Sequence, residues 1–157
     1  STQILAKFIK VSKWPPYFKT LIFMFQKEVA ERILAKPNTK NYSRISVLTN
    51  YRFEILDNFL VSKKCFFPSP KIDSKILVFR PKIKINNNVN NIENLEKITQ
   101  IFFSNKRKMI NKAFAKIFKN YKDIAKILNI DLNKRPSELS CNDFYKITEQ
   151  YEKNRIL

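Results

Sequence analysis

In "NKRKMINKAFAKIFK", residues 105 to 119, lysines recur at a spacing that gives them a shared direction. At 100° per residue, Lys108, Lys112, Lys116 and Lys119 of a continuous helix fall within an arc of about 80°. Ile110, Phe114, Ile117 and Tyr121 take the opposite side. Such a helix docks its apolar face on the protein and presents a line of ammonium groups, the chemistry that holds a polyanion. Lys106, Arg107 and Lys108 stand at the predicted helix start, where cations oppose the helix dipole. Positive charge is more useful there if a phosphate sits close by. A solvated face on a Lys-rich protein would show the same spacing. A membrane-surface helix fits less well, because the apolar face is needed for the core.

The second stretch with chemical potential is "CFFPSPKIDS", residues 65 to 74. Pro68 and Pro70 fix their own φ and restrict the residues before them, so the backbone is held extended. Neighbouring rings on extended chain point apart, so Phe66 and Phe67 can face different ways. One can enter the core while the other lines a cleft; burial statistics alone put both in the core.

The residue inventory excludes much else. The 157 residues contain no Gly and no His. That removes glycine-dependent phosphate loops, dinucleotide fingerprints, the usual general base and the commonest nitrogen metal ligand. Cys65 and Cys141 lack CxxC spacing and read as two reduced thiols of a cytoplasmic protein rather than a zinc or redox site. The formal charge of +18, from 31 basic and 13 acidic side chains, calls for an anionic partner. Nucleic acid is the first candidate and an anionic membrane surface the second. The abundance of Lys, Asn and Ile is also what a biased genome produces. The longest apolar run, Leu21 to Phe25, is far short of the ~20 residues of a bilayer span. No signal-peptide pattern opens the sequence.

The elements that must position these residues follow from periodicity. "STQILAKFIK" reads as a helix capped by Ser1 or Thr2, and "WPPYF" breaks it. "KTLIFMFQ" reads as a buried strand and "KEVAERILAK" as a helix stopped by Pro37. A helix over 43–51 and strands over 53–61 and 74–81 complete an α/β segment, residues 1–81. The Asn-rich stretch 82–91 is the linker candidate. Residues 92–157 carry helical periodicity only. Ser140 with Asp143 forms a predicted capping box, and Leu139 with Phe144 a hydrophobic staple.

Several of these stretches match one family. Phe66, Pro68, Pro70, Lys71, Ile72, Asp73 and Ser74 resemble the post-catalytic loop of the rRNA adenine N6-dimethyltransferases. "MFQKEVAERILAKP" is similar to the family's strand-to-helix segment, with Asn38 and Ser43 standing where glycines are expected. "FFSNKRKMINKAF" and "KRPSELSCNDF" resemble two motifs of its C-terminal helical domain. These two favour the small-subunit enzyme, of the kasugamycin-resistance type, over the erythromycin-resistance methylases.

The resemblance implies the C-terminal half of a Rossmann-like methyltransferase sheet followed by a small all-α domain, residues 92–157, that binds RNA. It implies that Phe66 stacks on the target base, and that Lys106, Arg107, Lys108, Lys112, Lys116 and Lys119 hold the RNA backbone. It also implies small-subunit rRNA as partner and S-adenosylmethionine as methyl donor of the full-length enzyme. The family's Gly-rich loop and N-L-P-Y catalytic loop have no counterpart in these residues. The chain is therefore expected to bind no cofactor by itself and to be catalytic only alongside an N-terminal half. The alternative is a non-catalytic RNA-binding or ribosome-assembly module. One further expectation comes from the sheet: the strand near residues 20–26 would be left with an unpaired apolar edge, open to self-association.

Overall fold

The computed structural model describes residues 2–85 and 89–156, apart from the side chains of 155 and 156. The proposed Ser1 cap and residues 86–88 of the Asn-rich stretch lie outside the described residues.

Three strands form one sheet in the order β1-β3-β2, with β1 at Leu21–Gln26, β2 at Phe53–Val61 and β3 at Ser74–Pro81. Strand β3 is antiparallel to both neighbours, so β1 and β2 run parallel to each other. Period-two alternation decides which residues go inward. Phe25, Phe53, Leu77 and Phe79 are buried, whereas Ile22, Met24 and Phe59 face outward and remain exposed. The inner rings meet directly: Phe79 lies 6.3 Å from Phe25 and 5.8 Å from Phe53, each in a T-shaped pair. Such pairs contribute about 0.5–1.5 kcal/mol beyond area burial. A bulge between Ile55 and Asp57 shifts the β2 register by one residue, which periodicity alone did not indicate.

Helices α1 (Thr2–Ile9), α2 (Lys27–Leu34) and α3 (Arg44–Arg52) belong to the α/β segment. Helix α3 packs against α1, α2 and β2, and also against the helical segment through α4 and α7. Because neighbours surround it, it buries Ser46 and Thr49 as well as Val47, Leu48 and Tyr51, and shows no clean amphipathic pattern. The helical segment comprises α4 (Ile92–Phe103), α5 (Asn111–Ile117), α6 (Tyr121–Ile127) and α7 (Cys141–Ile156). Phe102 centres it, 5.5 Å from Phe114 and 5.7 Å from Phe144.

The predicted start of α7 is present. The amide of Ser140 donates to Asp143 Oδ2 at 2.8 Å, and the Asp143 amide donates to Ser140 Oγ at 3.1 Å. The staple pair, Leu139 and Phe144, is buried.

The stretch 82–91 is fastened at both described ends. Trp14 Nε1 donates to the Lys82 carbonyl at 2.7 Å, and the Lys82 amide to the Arg52 carbonyl at 2.8 Å. At the other end the amides of Asn90 and Asn91 donate to the Glu152 carboxylate at 2.7 and 3.0 Å. Asn91 then caps α4 through Oδ1, which accepts from the Glu93 amide.

One sequence expectation needs correction. The long basic helix over 105–121 does not form. Residues 104–107 make a turn, α5 covers only Asn111–Ile117, Phe118 is extended, and Tyr121 begins a separate helix. The physical causes are visible. A helix through Lys106–Lys108 would set three adjacent cations at its positive end. The Ile110 amide instead bonds the Lys134 carbonyl at 2.9 Å, which ties the turn to the loop before α7.

Candidate nucleic-acid interface

The broken helix changes how the basic residues converge. Lys112 and Lys116, four apart on α5, share an exposed face. Lys108 reaches the same place from the preceding turn, and Arg107 and Arg135 close the group. All five line one open cleft, together with Met109, Asn111 and Asn133. Arg107 and Arg135 also line an adjoining cleft of about 690 Å³, with Asn38, Thr39, Lys40, Lys106, Ser137 and Glu138. Helix α5 and three separate turns, at 38–40, 104–109 and 133–138, thus line two adjoining clefts that share Arg107 and Arg135.

Lys119 lines neither cleft; it lies beyond the extended Phe118 and is exposed. The shared arc inferred for it held only for an unbroken helix. Arg135 was absent from the sequence-derived set, although it stands in the quoted motif "KRPSELSCNDF". Its position before Pro136 was the available signal, since an X-Pro pair marks a loop at which a side chain can project.

The turn 38–42 has a strained start. Asn38 holds φ 66, the left-handed region that glycine occupies without penalty, so the glycine expected at this position has a conformational basis. The Ser43 position does not, because its φ of −158 is ordinary extended backbone. Asn129, with φ 53, plays a similar part after α6. There the amides of Asn129 and Ile130 return to the carbonyls of Lys126 and Ala125, a Schellman closure in a chain without glycine.

The aromatic loop departs from the simplest burial expectation. Neither Phe66 nor Phe67 joins the buried cluster. Phe66 is half-buried at the end of a 3₁₀ turn, Lys63–Cys65, with extended φ −122. Phe67 is wholly exposed, and Phe67–Pro68 is cis. Among the bonds that hold the loop, the Lys63 amide donates to Asp73 Oδ1 at 2.9 Å, and Ser69 Oγ donates to the Lys63 carbonyl at 2.9 Å. Phe66 lines neither basic cleft.

Among the described residues no group of three or more His, Cys, Asp or Glu side chains could hold a metal ion. Cys65 and Cys141 are both free. Burial pushes the Cys141 thiol up, against hydrogen bonds from Tyr42 and Tyr145 that pull it down. No helix among the described residues is long and apolar enough to cross a membrane.

An α/β sheet segment joined to a helical segment, with cations gathered where turns of both meet, defines a protein suited to face a polyanion. Comparison with known proteins makes the class specific. Residues 1–153 match the family model "Ribosomal RNA adenine dimethylase", and the chain belongs to that family. It is 41% identical over 152 residues to ribosomal RNA small subunit methyltransferase A of Pelagibacter ubique, covering 97% of this chain and 58% of that protein. The chain thus spans little more than half the length of this relative. A dimethyladenosine transferase from Plasmodium falciparum superposes with a TM-score of 0.78 at 27% identity, over 99% of this chain and 64% of that one. The 23S rRNA methyltransferase ErmE superposes with a TM-score of 0.61 at 18% identity, over 96% of this chain and 61% of that one. This last likeness bears on the fold alone.

Proposed function

We propose that this chain is the substrate-facing part of an enzyme that dimethylates adenine N6 in small-subunit ribosomal RNA during ribosome biogenesis, in the cytoplasm. Family membership over residues 1–153 supports this reading, and the convergence of Arg107, Lys108, Lys112, Lys116 and Arg135 carries the RNA-binding part of it. Those cations contact phosphates and set the register of the RNA without reading its sequence. Phe66, outside the core on a loop held by Asp73 and Ser69, stacks on the adenine once it leaves its helix. A chain without His suits this chemistry, because methyl transfer to an oriented amino group depends on positioning more than on a strong base.

S-adenosylmethionine is the methyl donor that the family implies. The residues described do not fit it. Strand β1 runs into α2 with no intervening loop, and the Lys27 amide at that junction already donates to the Asp73 carbonyl at 3.0 Å.

The test uses the complete gene product, small-subunit RNA and labelled S-adenosylmethionine. Phe66→Ala should lower kcat/KM by about 1–3 kcal/mol of transition-state stabilisation while RNA affinity stays nearly unchanged. Transfer of label to a base other than adenine would reject the assignment. A parallel loss of folding stability and activity would return Phe66 to a structural role.

A further inference from the structure

Lys106 differs from its basic neighbours in what its ammonium already does. Nζ donates to the carbonyl of Lys40 at 2.6 Å and to that of Tyr42 at 2.5 Å. An ammonium has three N–H donors, so two are committed within the protein. Lys106 is partly buried, whereas Arg107 and Lys108 are exposed. Burial, with Arg32 adding repulsion, lowers its pKa.

The segment that Lys106 grips has local turn bonds, from the Tyr42 amide to the Thr39 carbonyl at 3.2 Å and from Thr39 Oγ1 to the Lys36 carbonyl at 2.6 Å, and longer-range ties at its ends. At one end the Asn38 amide donates to the Ser137 carbonyl at 2.7 Å. At the other, the fully buried Tyr42 ring lies 5.8 Å from Phe103, and its hydroxyl pairs with Cys141 Sγ at 3.4 Å. Between these ties lie Thr39 and Lys40, which form one wall of the basic cleft that Arg107 and Arg135 also line. The Lys106 bonds join that wall to the turn bearing Arg107.

We infer that Lys106 is a positioning residue: it clamps the 38–42 turn against the 104–107 turn, sets the width of the basic cleft, and leaves phosphate contact to Arg107, Lys108 and Arg135. This rests on the reading of the cleft as the RNA site. It separates Lys106 from the run of cations with which the sequence groups it. To hold a phosphate with both committed N–H groups, Lys106 would have to release the two carbonyls that shape the cleft.

Salt dependence distinguishes a clamp from a contact. Each phosphate contact contributes about −0.7 to the slope of log K against log salt for single strands. With the whole chain and a single-stranded RNA oligonucleotide, Lys106→Met should weaken binding about 3- to 10-fold with the slope unchanged. Arg107→Ala should reduce the magnitude of the slope by about 0.7. Amide exchange at residues 40–42 should quicken in Lys106→Met and recover in Lys106→Arg, whose fork can reach both carbonyls. Lys106→Gln, which keeps an N–H donor, gives the same slope reading should methionine not be tolerated. Unaltered affinity in Lys106→Met, or a slope reduced by about 0.7 in it, overturns the clamp. Arg107→Ala with affinity and slope both unchanged would show that the cleft is not the RNA site, and the inference would fall with that reading.

Discussion

The amide of Asn38 donates to the carbonyl of Ser137 at 2.7 Å, joining the turn after α2 to the loop before α7. Asn38 also adopts φ 66, the left-handed conformation that redirects the chain beyond this tie into the 38–42 turn. A residue ninety-nine positions from Ser137 thereby fixes one wall of the basic cleft, since both line it. Local backbone conformation and the shape of the candidate site are here one matter.

Asn38→Gly should therefore be neutral or mildly stabilising, whereas Asn38→Ala should cost about 1–2 kcal/mol. Asparagine tolerates the left-handed region because its short polar side chain can bond locally; alanine cannot compensate its Cβ contact. Urea unfolding of the three proteins measures the difference. Equal losses for Gly and Ala would mean that the asparagine side chain, not φ, matters.

How much of this the sequence disclosed depended on how local each signal was. The capping box at Ser140 and Asp143 was legible because both partners lie within one turn of helix. The three strands were legible because aromatic and β-branched runs were bounded by Pro and polar residues. The basic helix was misjudged because 100° periodicity cannot register a bond to a distant carbonyl. The Ile110 amide goes to Lys134, and no pattern within 105–121 reveals that. Arg135, which lines both clefts, and Lys106, whose ammonium bonds two distant carbonyls, are placed by contacts of the same long-range kind. Their surroundings depend on which turns meet, a property of tertiary packing.

Glu152 should prove far more important to stability than an acidic residue in a chain of charge +18 would suggest. It is buried, and accepts from the amides of Asn90 and Asn91 and from Asn94 Nδ2 at 2.8 Å. Removing it leaves two backbone donors without their partner. Glu152→Ala should cost about 2–4 kcal/mol, from an unsatisfied-donor cost of 1–3 kcal/mol each, eased where water can enter. Thermal unfolding reads the loss, and a change below about 0.5 kcal/mol would mean that water replaces the carboxylate fully.

Alkaline pH should destabilise the fold through the cluster around Cys141. Burial raises the pKa of the Cys141 thiol above its ordinary 9.0, and burial likewise raises Tyr42, Tyr51 and Tyr145 above 10.0. For each, the unfolded chain releases its proton first. The native state then binds more protons, so stability is full below the unfolded pKa and falls as pH rises toward the folded one. Lys82 and Lys106, lowered mainly by burial, act in the opposite sense between their folded and unfolded values. The thiol's share is isolated by comparison with Cys141→Ala. The stability of the wild-type chain relative to this variant should be constant below about pH 8 and then decline by up to about 1.4 kcal/mol per pH unit. A difference that stays flat to pH 10.5 would show that the thiol ionises as readily in the folded chain as in the unfolded one.

Strand β1 should make the chain self-associate. One side of it pairs with β3, from Leu21↔Phe79 to Gln26↔Ser74, and it stands at the end of the strand order. Its outer-face side chains, Ile22 and Met24, are 65% and 45% exposed. The register continues this face inward along the sheet, with Met24 beside Ile76 and Ile76 beside Phe59, itself 49% exposed. An apolar edge of this kind templates pairing with another chain unless a charge, a proline or a covering element blunts it. A second β1 laid antiparallel would extend the sheet symmetrically, as a two-fold contact requires. Opposing this is the repulsion of two chains of charge +18, which salt screens within about 10 Å at 0.1 M. Association should therefore strengthen as ionic strength rises, the reverse of RNA binding by the same molecule. Ile22→Lys, an exposed substitution with little effect on folding, should shift the chain toward monomer by adding a charge to the apolar face. Sedimentation velocity across concentration and salt follows the equilibrium, and amide exchange at residues 21–26 reports whether the edge becomes protected. A wild-type chain that stays monomeric at every salt concentration, with those amides already slow to exchange, would show that the edge is not open.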